Sequence, residues 1–211
     1  EHIEATAHSV TIYCQDPLAQ LALTIELELD DNTNVLRTRQ TLTNNGTADY
    51  QLLKLAHTLP LPFKVSELMT FDGRWSREFQ TRRHQLNHYS FTQENHRGRT
   101  SHESQPSIIA GTKDFGEAHG EVYGFHLGWS GNHRIHTEVT FEGRRFIQAN
   151  ELLMPGEITL QPGQSYTTPN LFACYSANGL TGMSRSFHNY LRSHVIRFPE
   201  SDKVRPVHLN T

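Results

Sequence analysis

Apolar and polar residues alternate along much of the chain, and a period of two is the pattern of a strand with one buried face. The clearest case is LALTIELEL, 21–29, where leucine and isoleucine take the odd positions and alanine, threonine and glutamate the even ones. DDNTN, 30–34, predicts a turn, and VLRTRQTLT predicts a returning strand that ends at the turn NNG, 44–46. We interpret YQLLKLAHTLPLP as a third strand, closed by Pro60 and Pro62. Together these segments predict a β-meander.

The middle of the chain continues in the same style. Short runs of β-branched or aromatic residues are bounded by Gly, Asn or Pro, as is typical of strands. These runs are HYSFTQEN, PSIIAGT, EVYGFHLGWSG, HRIHTEVTFEG and RRFIQANE, and LQPGQSYTTP adds a Pro-Gly turn followed by alternation. Regular short strands with frequent turns favour a sandwich or a barrel. The predicted fold class is therefore mainly β, an antiparallel β-sandwich.

Only the end of the chain changes its period. After SANG, 176–179, apolar residues recur every three or four positions from Leu180 to Val195, which predicts an amphipathic helix. Asn178 is the predicted N-cap of this helix, and Pro199 ends the pattern. The remaining residues read as the approach to a further strand.

Composition narrows the possible functions. The 211 residues suit one large domain or two small ones, and eleven Phe and seven Tyr provide apolar area for a core. The net charge of −3 provides no broad basic field for nucleic acid or acidic lipid. No stretch approaches the roughly 18 apolar residues of a membrane span. The start has no signal-peptide pattern and no initiator Met, so we expect a processed chain or a fragment. Cys14 and Cys174 are interpreted as buried free thiols.

Candidate chemistry is sparse. The fourteen histidines form no HxH or HExxH pattern, and His133 and His136 are predicted to point to opposite faces of one strand. The acid pairs at 26/28 and 30/31 fit a solvated strand face and a turn. No phosphate-binding glycine pattern opens a helix. The residues alone therefore predict no metal, no cofactor and no self-sufficient active site.

One stretch, FDGRWSREFQTRRHQL, 71–86, concentrates polar and aromatic side chains. Gly73 permits a tight turn or a close approach of the backbone. Trp75 either packs in a core or interface or offers a flat apolar face to the C–H groups of a sugar. Arginines 74, 77, 82 and 83 either bind carbonyls or pair with Glu78.

The ordered motifs of this chain resemble those of glycoside hydrolase family 36 α-galactosidases. DGRWSREFQTRRHQL is similar to the family stretch G-x-W-x-R-E-R…R-R-P-L, and RGRTSHESQPSIIAG to G-x-S-S-H-x-x-x-P-F. GEVYGFHLGWSGNHRIHTEV resembles G-E-V-Y-G-F…Y-S-G-N, and the stretch from LQPGQSYTTP to NYLRSHVIR resembles L-x-P-G-E-S-F-x-T-P-E…Y-S-x-x-G-L-x-G-M-S…H…R. RPVHLNT stands where the family reads R-P-I-L-I-N-x-W-E-A. The resemblance covers nearly the whole chain.

The resemblance implies an N-terminal β-supersandwich that precedes a (β/α)8 catalytic barrel. The predicted division is a supersandwich over 1–175, a linking helix over 176–198 and the lead-in to the absent barrel over 199–211, with part of the supersandwich before Glu1 also missing. The intact protein would be a cytoplasmic, retaining α-galactosidase that acts on melibiose- and raffinose-type sugars. The barrel would supply the catalytic carboxylates, so this chain alone would be inactive. The implied partners are the oligosaccharide, the barrel and a homo-oligomer.

One functional residue carries over from the family, the tryptophan that matches Trp75. It would reach from the sandwich to wall the galactose site, with Gly73 giving the turn and Arg74, Arg77 and Glu78 anchoring a domain-crossing loop. DGRW stands here where relatives often have PGAW, so Arg74 departs from the pattern. Two alternatives stay open, a free-standing carbohydrate-binding module and a structural assembly domain in which Trp75 is buried among its own strands.

Overall fold

The computed structural model describes residues 1–87, 89–197 and 206–209, which form antiparallel strands and, near the C-terminal end, an α-helix. The helix α1 (Gly179–Tyr190) continues into a π-helical turn, Leu191–Val195. The strands are β1 (His2–Ala5), β2 (Ser9–Asp16), β3 (Leu21–Asp30), β4 (Val35–Asn44), β5 (Tyr50–Leu52), β6 (His57–Leu61), β7 (Glu67–Arg74), β8 (Arg77–Gln85), β9 (Phe91–Asn95), β10 (Ser107–Gly111), β11 (Val122–Leu127), β12 (His133–Val139), β13 (Arg145–Glu151), β14 (Ile158–Leu160), β15 (Ser165–Thr167) and β16 (Leu171–Ser176).

Within the described ranges these strands form three sheets. The large sheet has ten strands in the order β1-β2-β3-β4-β16-β11-β10-β7-β8, and β15 also pairs with β4. A four-stranded sheet has the order β6-β13-β12-β9, and β14 pairs with β5 alone. The recorded pairings are antiparallel. The prediction of a mainly β, antiparallel fold with a C-terminal helix is therefore confirmed.

The first two strands of the predicted meander are β3 and β4, which pair with each other, and β1 and β2, which were not predicted, precede them in the same sheet in chain order. Across β3 and β4, Leu21 lies opposite Asn44 and Asp30 lies opposite Val35. Leu21 and Leu23 pack against a small core, whereas Glu26 on the other face accepts two hydrogen bonds from Arg39. One face is apolar and the other charged, as the period of two predicts.

The predicted third strand was wrong, because YQLLKLAHTLPLP forms two strands in different sheets. Strand β5 pairs with β14, and β6 pairs with β13. Leu52 is buried and packs under the large sheet with Leu42 and Leu160. Pro60 lies in β6, the edge strand of its sheet, where a missing backbone N–H is tolerated. The hydrophobic pattern runs on across the point where the chain changes sheets.

The main core lies between the large sheet and the four-stranded sheet, which identifies the sandwich. Both inner faces contribute side chains that are essentially inaccessible to solvent, and burial of this kind stabilises by about 1.5–3 kcal/mol for each large apolar side chain. From the large sheet these are Leu68, Ile108, Leu127 and Leu171, and from the smaller one Ile135 and Ile147.

Helix α1 packs on the opposite face of the large sheet. Met183 contacts a second cluster that includes Val35, Ile109 and Cys174. Asn178 occupies the N-cap position, as predicted, but its side chain forms no cap hydrogen bond. Instead, the backbone N–H groups of the first three helical residues donate to carbonyls of the loop 116–120 at 2.9–3.0 Å. A loop distant in sequence thus satisfies donors that a capping side chain normally serves.

Three other predictions concern the remaining parts of the chain. Cys174 is buried and Cys14 only half-buried, and both are free thiols. The predicted lead-in, 199–211, lies outside the described residues except for 206–209, which form no helix or strand. Among the described residues, no helix combines the length and apolar character that crossing a bilayer requires.

Candidate functional site

The stretch predicted to be a domain-crossing loop is a β-hairpin at the edge of the large sheet. Strand β7 ends at Arg74 and β8 begins at Arg77, and these two residues face each other across the hairpin. Trp75 and Ser76 form its tip. The irregular part is therefore two residues long, and the strands on either side give Trp75 a defined position.

Gly73 is required by a close approach inside this hairpin. The pairing shifts register between Asp72 and Arg74, which marks a bulge. Gly73 has a φ of +157°, and a Cβ added to it would lie 2.3 Å from the carbonyl oxygen of Arg77. Only glycine avoids this clash. The close approach predicted at Gly73 is present.

Trp75 projects from the tip, and 83% of its surface is exposed. Ser76 adopts a φ of +68°, and its N–H donates to the Glu78 carboxylate at 2.8 Å. This hydrogen bond holds the pKa of Glu78 below its usual value. Within the described ranges, the side chains of Arg74 and Arg77 form no hydrogen bond or ion pair. Glu78 thus fixes the turn, and contacts of Arg74 and Arg77 with a neighbouring domain remain a prediction.

Two other arginines stabilise the hairpin, one within it and one against the rest of the fold. Arg82 pairs with Asp72 across the hairpin at 3.2 Å. The Arg83 guanidinium donates to the backbone carbonyl of Phe115 at 2.8 Å, lies 3.8 Å from the centre of that ring and reaches Glu67 at 3.4 Å. The hydrogen bond and the cation–π contact between Arg83 and Phe115 orient the hairpin against the loop that contains Phe115. This contact could not be predicted, because Arg83 and Phe115 are far apart along the chain.

A cleft of about 600 Å³ lies beside Trp75, and we call it the Trp75 cleft. Its other wall is a loop tied down by the Asn95 side chain, which donates to the Arg99 carbonyl at 2.7 Å. Arg97 holds Glu103 through two bonds of 2.7 and 2.8 Å, so that pair is neutral overall. The lining residues are Arg74, Trp75, Arg97, Arg99, Thr100, Ser101, His102 and Glu103.

The Trp75 cleft offers an exposed indole face and polar side chains that suit a hydroxyl-rich ligand. Hydrolysis of a glycoside needs two carboxyl groups that face each other across the bond to be broken. Glu103 is the one carboxylate among the described residues that line this cleft, and it is already paired with Arg97. The cleft can therefore contact a sugar but lacks the acid pair for its hydrolysis.

An apolar groove of about 850 Å³ runs between the hairpin and the helix, and we call it the hairpin–helix groove. Phe71 and Phe79 line it from the hairpin, and Phe187, Leu191 and Val195 line it from the helical end. Phe79 is 61% exposed and Val195 55%. Contiguous apolar surface of this kind is typical of an interaction site.

Two histidines are buried in the fold and hydrogen-bonded to backbone carbonyls. His57 and His133 are buried, hydrogen-bonded to the carbonyls of Pro169 and Gly131, and burial lowers the pKa of both. His133 is buried and His136 only partly so, which confirms that the two point to opposite faces of β12. In the part of the chain that the structure describes, no three His, Cys, Asp or Glu side chains come close enough to hold a metal ion.

Two family models match the chain. The model described as glycosyl hydrolase family 36 N-terminal domain matches residues 1–161, and the model described as melibiase matches residues 165–211. The second match begins at β15 and includes β16 and α1.

Known proteins similar to this chain are α-galactosidases. The α-galactosidase of Escherichia coli is 48% identical over 99% of this chain and 29% of its own length. The α-galactosidase AgaA of Geobacillus stearothermophilus is 32% identical over 100% of this chain and 29% of its own length. A crystal structure of an AgaA variant in complex with stachyose superposes with a TM-score of 0.86 at 30% identity, over 94% of this chain and 28% of that one. The chain thus spans less than a third of the length of these relatives.

Proposed function

The chain belongs to glycosyl hydrolase family 36, and from this premise we propose that it is the N-terminal domain of a retaining α-galactosidase. The whole enzyme would remove terminal α-D-galactosyl groups from melibiose- and raffinose-type oligosaccharides. Support comes from the similarity to named α-galactosidases and to a relative that was crystallised with stachyose.

In this proposal the chain shapes the substrate pocket and leaves the bond cleavage to a catalytic barrel. Retaining hydrolysis needs two carboxyl groups about 5–5.5 Å apart, a nucleophile and an acid/base. Glu103 is the one carboxylate among the described residues that line the Trp75 cleft, and it is engaged by Arg97. In this proposal both catalytic carboxyl groups would come from the barrel.

Trp75 is the residue that we assign to the pocket wall. An indole that is 83% exposed at a hairpin tip is costly to leave in water, and it gains apolar contact when a neighbouring surface covers it. This exposure is the single observation that carries the proposal. It does not fit the alternative in which Trp75 is buried among its own strands.

We assign the docking of the barrel to the hairpin–helix groove. The melibiase match includes α1, and the π-helical turn at its end lines the groove, so the chain leaves the sandwich beside this apolar surface. Trp75 and Phe79 lie on the same hairpin. A barrel that covers Phe79 would therefore lie near the hairpin tip that carries Trp75. The cytoplasmic location and the homo-oligomer stay predictions from the resemblance.

The test uses the full-length parent enzyme. Replacement of Trp75 by Ala should lower kcat/KM for raffinose by about 10- to 100-fold, because the pocket loses an aromatic wall worth about 1.5–3 kcal/mol. Trp75→Phe should retain most of the activity, since a flat apolar face remains. In the 211-residue chain, Trp75→Ala should change the free energy of unfolding by less than about 0.5 kcal/mol, because the side chain is exposed.

Phe141→Ala is the matched control, since Phe141 is 96% exposed in the turn between β12 and β13. It should leave both kcat/KM and stability unchanged. A Trp75→Ala enzyme with unchanged kcat/KM, or a variant chain that unfolds, would show that Trp75 has no role in the pocket.

A further inference from the structure

A second cleft with aromatic and polar walls lies outside the region assigned to the galactose pocket, and we call it the Trp129 cleft. Its volume is about 530 Å³. Trp129 is 40% exposed and also lines a neighbouring depression of about 410 Å³. The residues that line the cleft are Arg39, Gly128, Trp129, Glu151, Tyr166, Thr167, Thr168, Pro169 and Asn170.

The walls of this cleft are held by backbone hydrogen bonds between separate strands. The N–H of Gly128 donates to the carbonyl of Asn170 at 2.8 Å, which joins the residues after β11 to the segment before β16. The N–H of Thr168 donates to the carbonyl of Gln40 at 2.9 Å, which fixes the same segment against β4. A cleft built in this way is largely pre-formed, as ligand sites usually are.

The charges in the cleft disfavour an anion. Arg39 is the cation in the lining, and it already holds Glu26 through two bonds of 2.9 Å. The Glu151 side chain forms no hydrogen bond or ion pair within the described ranges. An approaching phosphate or carboxylate would therefore meet a free carboxyl group and a neutralised arginine.

The polar groups in the cleft also disfavour a purely apolar ligand. The Tyr166 hydroxyl and the Asn170 side-chain oxygen are buried without a hydrogen-bond partner among the described residues. Buried polar atoms normally have partners. The exposed indole of Trp129 and the carboxyl group of Glu151 line the same cleft, and together they suit a ligand that has an apolar C–H face and hydroxyl groups.

We propose that the Trp129 cleft binds a neutral saccharide, with the C–H face of a pyranose ring on the indole of Trp129 and ring hydroxyls bonded to Glu151 and Asn170. The site is separate from the Trp75 cleft and does not depend on the catalytic assignment. It would hold a sugar on the sandwich itself.

The sequence allows a direct test, because it contains two tryptophans. A ¹H–¹⁵N spectrum of the labelled chain therefore gives two indole signals, which Trp129→Phe assigns. Titration with raffinose should shift the Trp129 signal saturably, with a Kd of about 1–10 mM, while the Trp75 signal stays in place. Inorganic phosphate should shift neither signal.

Variants and controls make the result specific. Glu151→Ala should weaken raffinose binding at least about tenfold, equivalent to 1.4 kcal/mol, and Phe141→Ala should leave it unchanged. A Trp129 signal that does not move at saturating raffinose, or equal shifts with phosphate, would overturn the proposal. A shift confined to the Trp75 signal would also overturn it, while leaving the role proposed for Trp75 intact.

Discussion

At the scale of single residues, Glu151 links the stability of the fold to pH. Burial, and secondly the charge of Glu157, raise the pKa of Glu151 to about 7. The ordinary value of a glutamate in an unfolded chain is about 4.3. The folded state therefore binds this proton more tightly than the unfolded state, and the resulting stabilisation is complete below about pH 4 and is lost as the pH rises through about 7.

Glu151→Gln should remove this loss because the amide carries no charge. At pH 8.5 the variant should be more stable than the original chain by about 1–2 kcal/mol, a figure reduced from about 4 kcal/mol for the partial exposure of the carboxyl group. At pH 4.5 the two should differ little. Urea unfolding at both pH values measures the effect. Glu142→Gln, in an exposed turn, is the matched control, and a gain that does not depend on pH would contradict the argument.

At the scale of elements, two groups could accept hydrogen bonds from the first N–H groups of α1, the Asn178 side chain or the carbonyls of the loop 116–120, and substitutions can tell them apart. Asn178→Ala should change the free energy of unfolding by less than about 0.5 kcal/mol, because its side chain forms no cap bond. Gly179→Ala should cost at least about 2 kcal/mol. Gly179 has a φ of +64°, and an added Cβ would lie 2.3 Å from the Gly116 carbonyl oxygen.

Gly163→Ala isolates the backbone strain in that comparison. Gly163 has a φ of +79°, but an added Cβ would meet no atom within 4 Å. Its replacement should therefore cost about 1–2 kcal/mol, the strain alone. Chemical denaturation of the three variants compares them directly. If Asn178→Ala cost as much as Gly179→Ala, the side chain would be the cap after all.

The same elements show what the sequence could predict. The first two strands of the meander and the helix were predicted correctly because their period and their turns are local signals. The change of sheet between Leu52 and His57 was missed because the hydrophobic alternation continues across it. The hairpin at Trp75 was taken for a loop because β7 begins with four buried residues, whereas β8 is mostly exposed, so neither strand alternates.

The candidate sites divide in the same way. Trp75 was proposed through its motif, which is continuous in the sequence, and its role in a pocket stays a prediction. The Trp129 cleft could not be found from the sequence, because Arg39, Trp129, Glu151 and Asn170 lie on separate segments that only the sheet order brings together. The loop 116–120 accepts hydrogen bonds from the first N–H groups of α1. It could not be predicted as their partner for the same reason, because it is distant from the helix in sequence.

At the scale of the whole molecule, the hairpin–helix groove predicts how the sandwich depends on its neighbour. In the isolated chain Phe79 and Val195 are 61% and 55% exposed, so the double substitution Phe79→Ser and Val195→Ser should change its free energy of unfolding by less than about 1 kcal/mol. In the full-length parent enzyme, a barrel seated in the groove would bury both side chains. Their loss should then cost about 2–4 kcal/mol, because each buried apolar side chain contributes about 1.5–3 kcal/mol.

The argument depends on comparing the isolated chain with the full-length enzyme. A residue that stabilises only the sandwich would lower the free energy of unfolding by the same amount in both proteins when it is replaced. Phe141→Ser is the matched control, because Phe141 is 96% exposed and lies outside the residues that line the groove. It should have little effect in the chain and in the enzyme alike. Thermal unfolding of both proteins with each variant gives the four values. Equal losses from the double substitution in the chain and the enzyme would mean that the groove does not seat the barrel, and the docking of that domain would have to be assigned to another face of the large sheet.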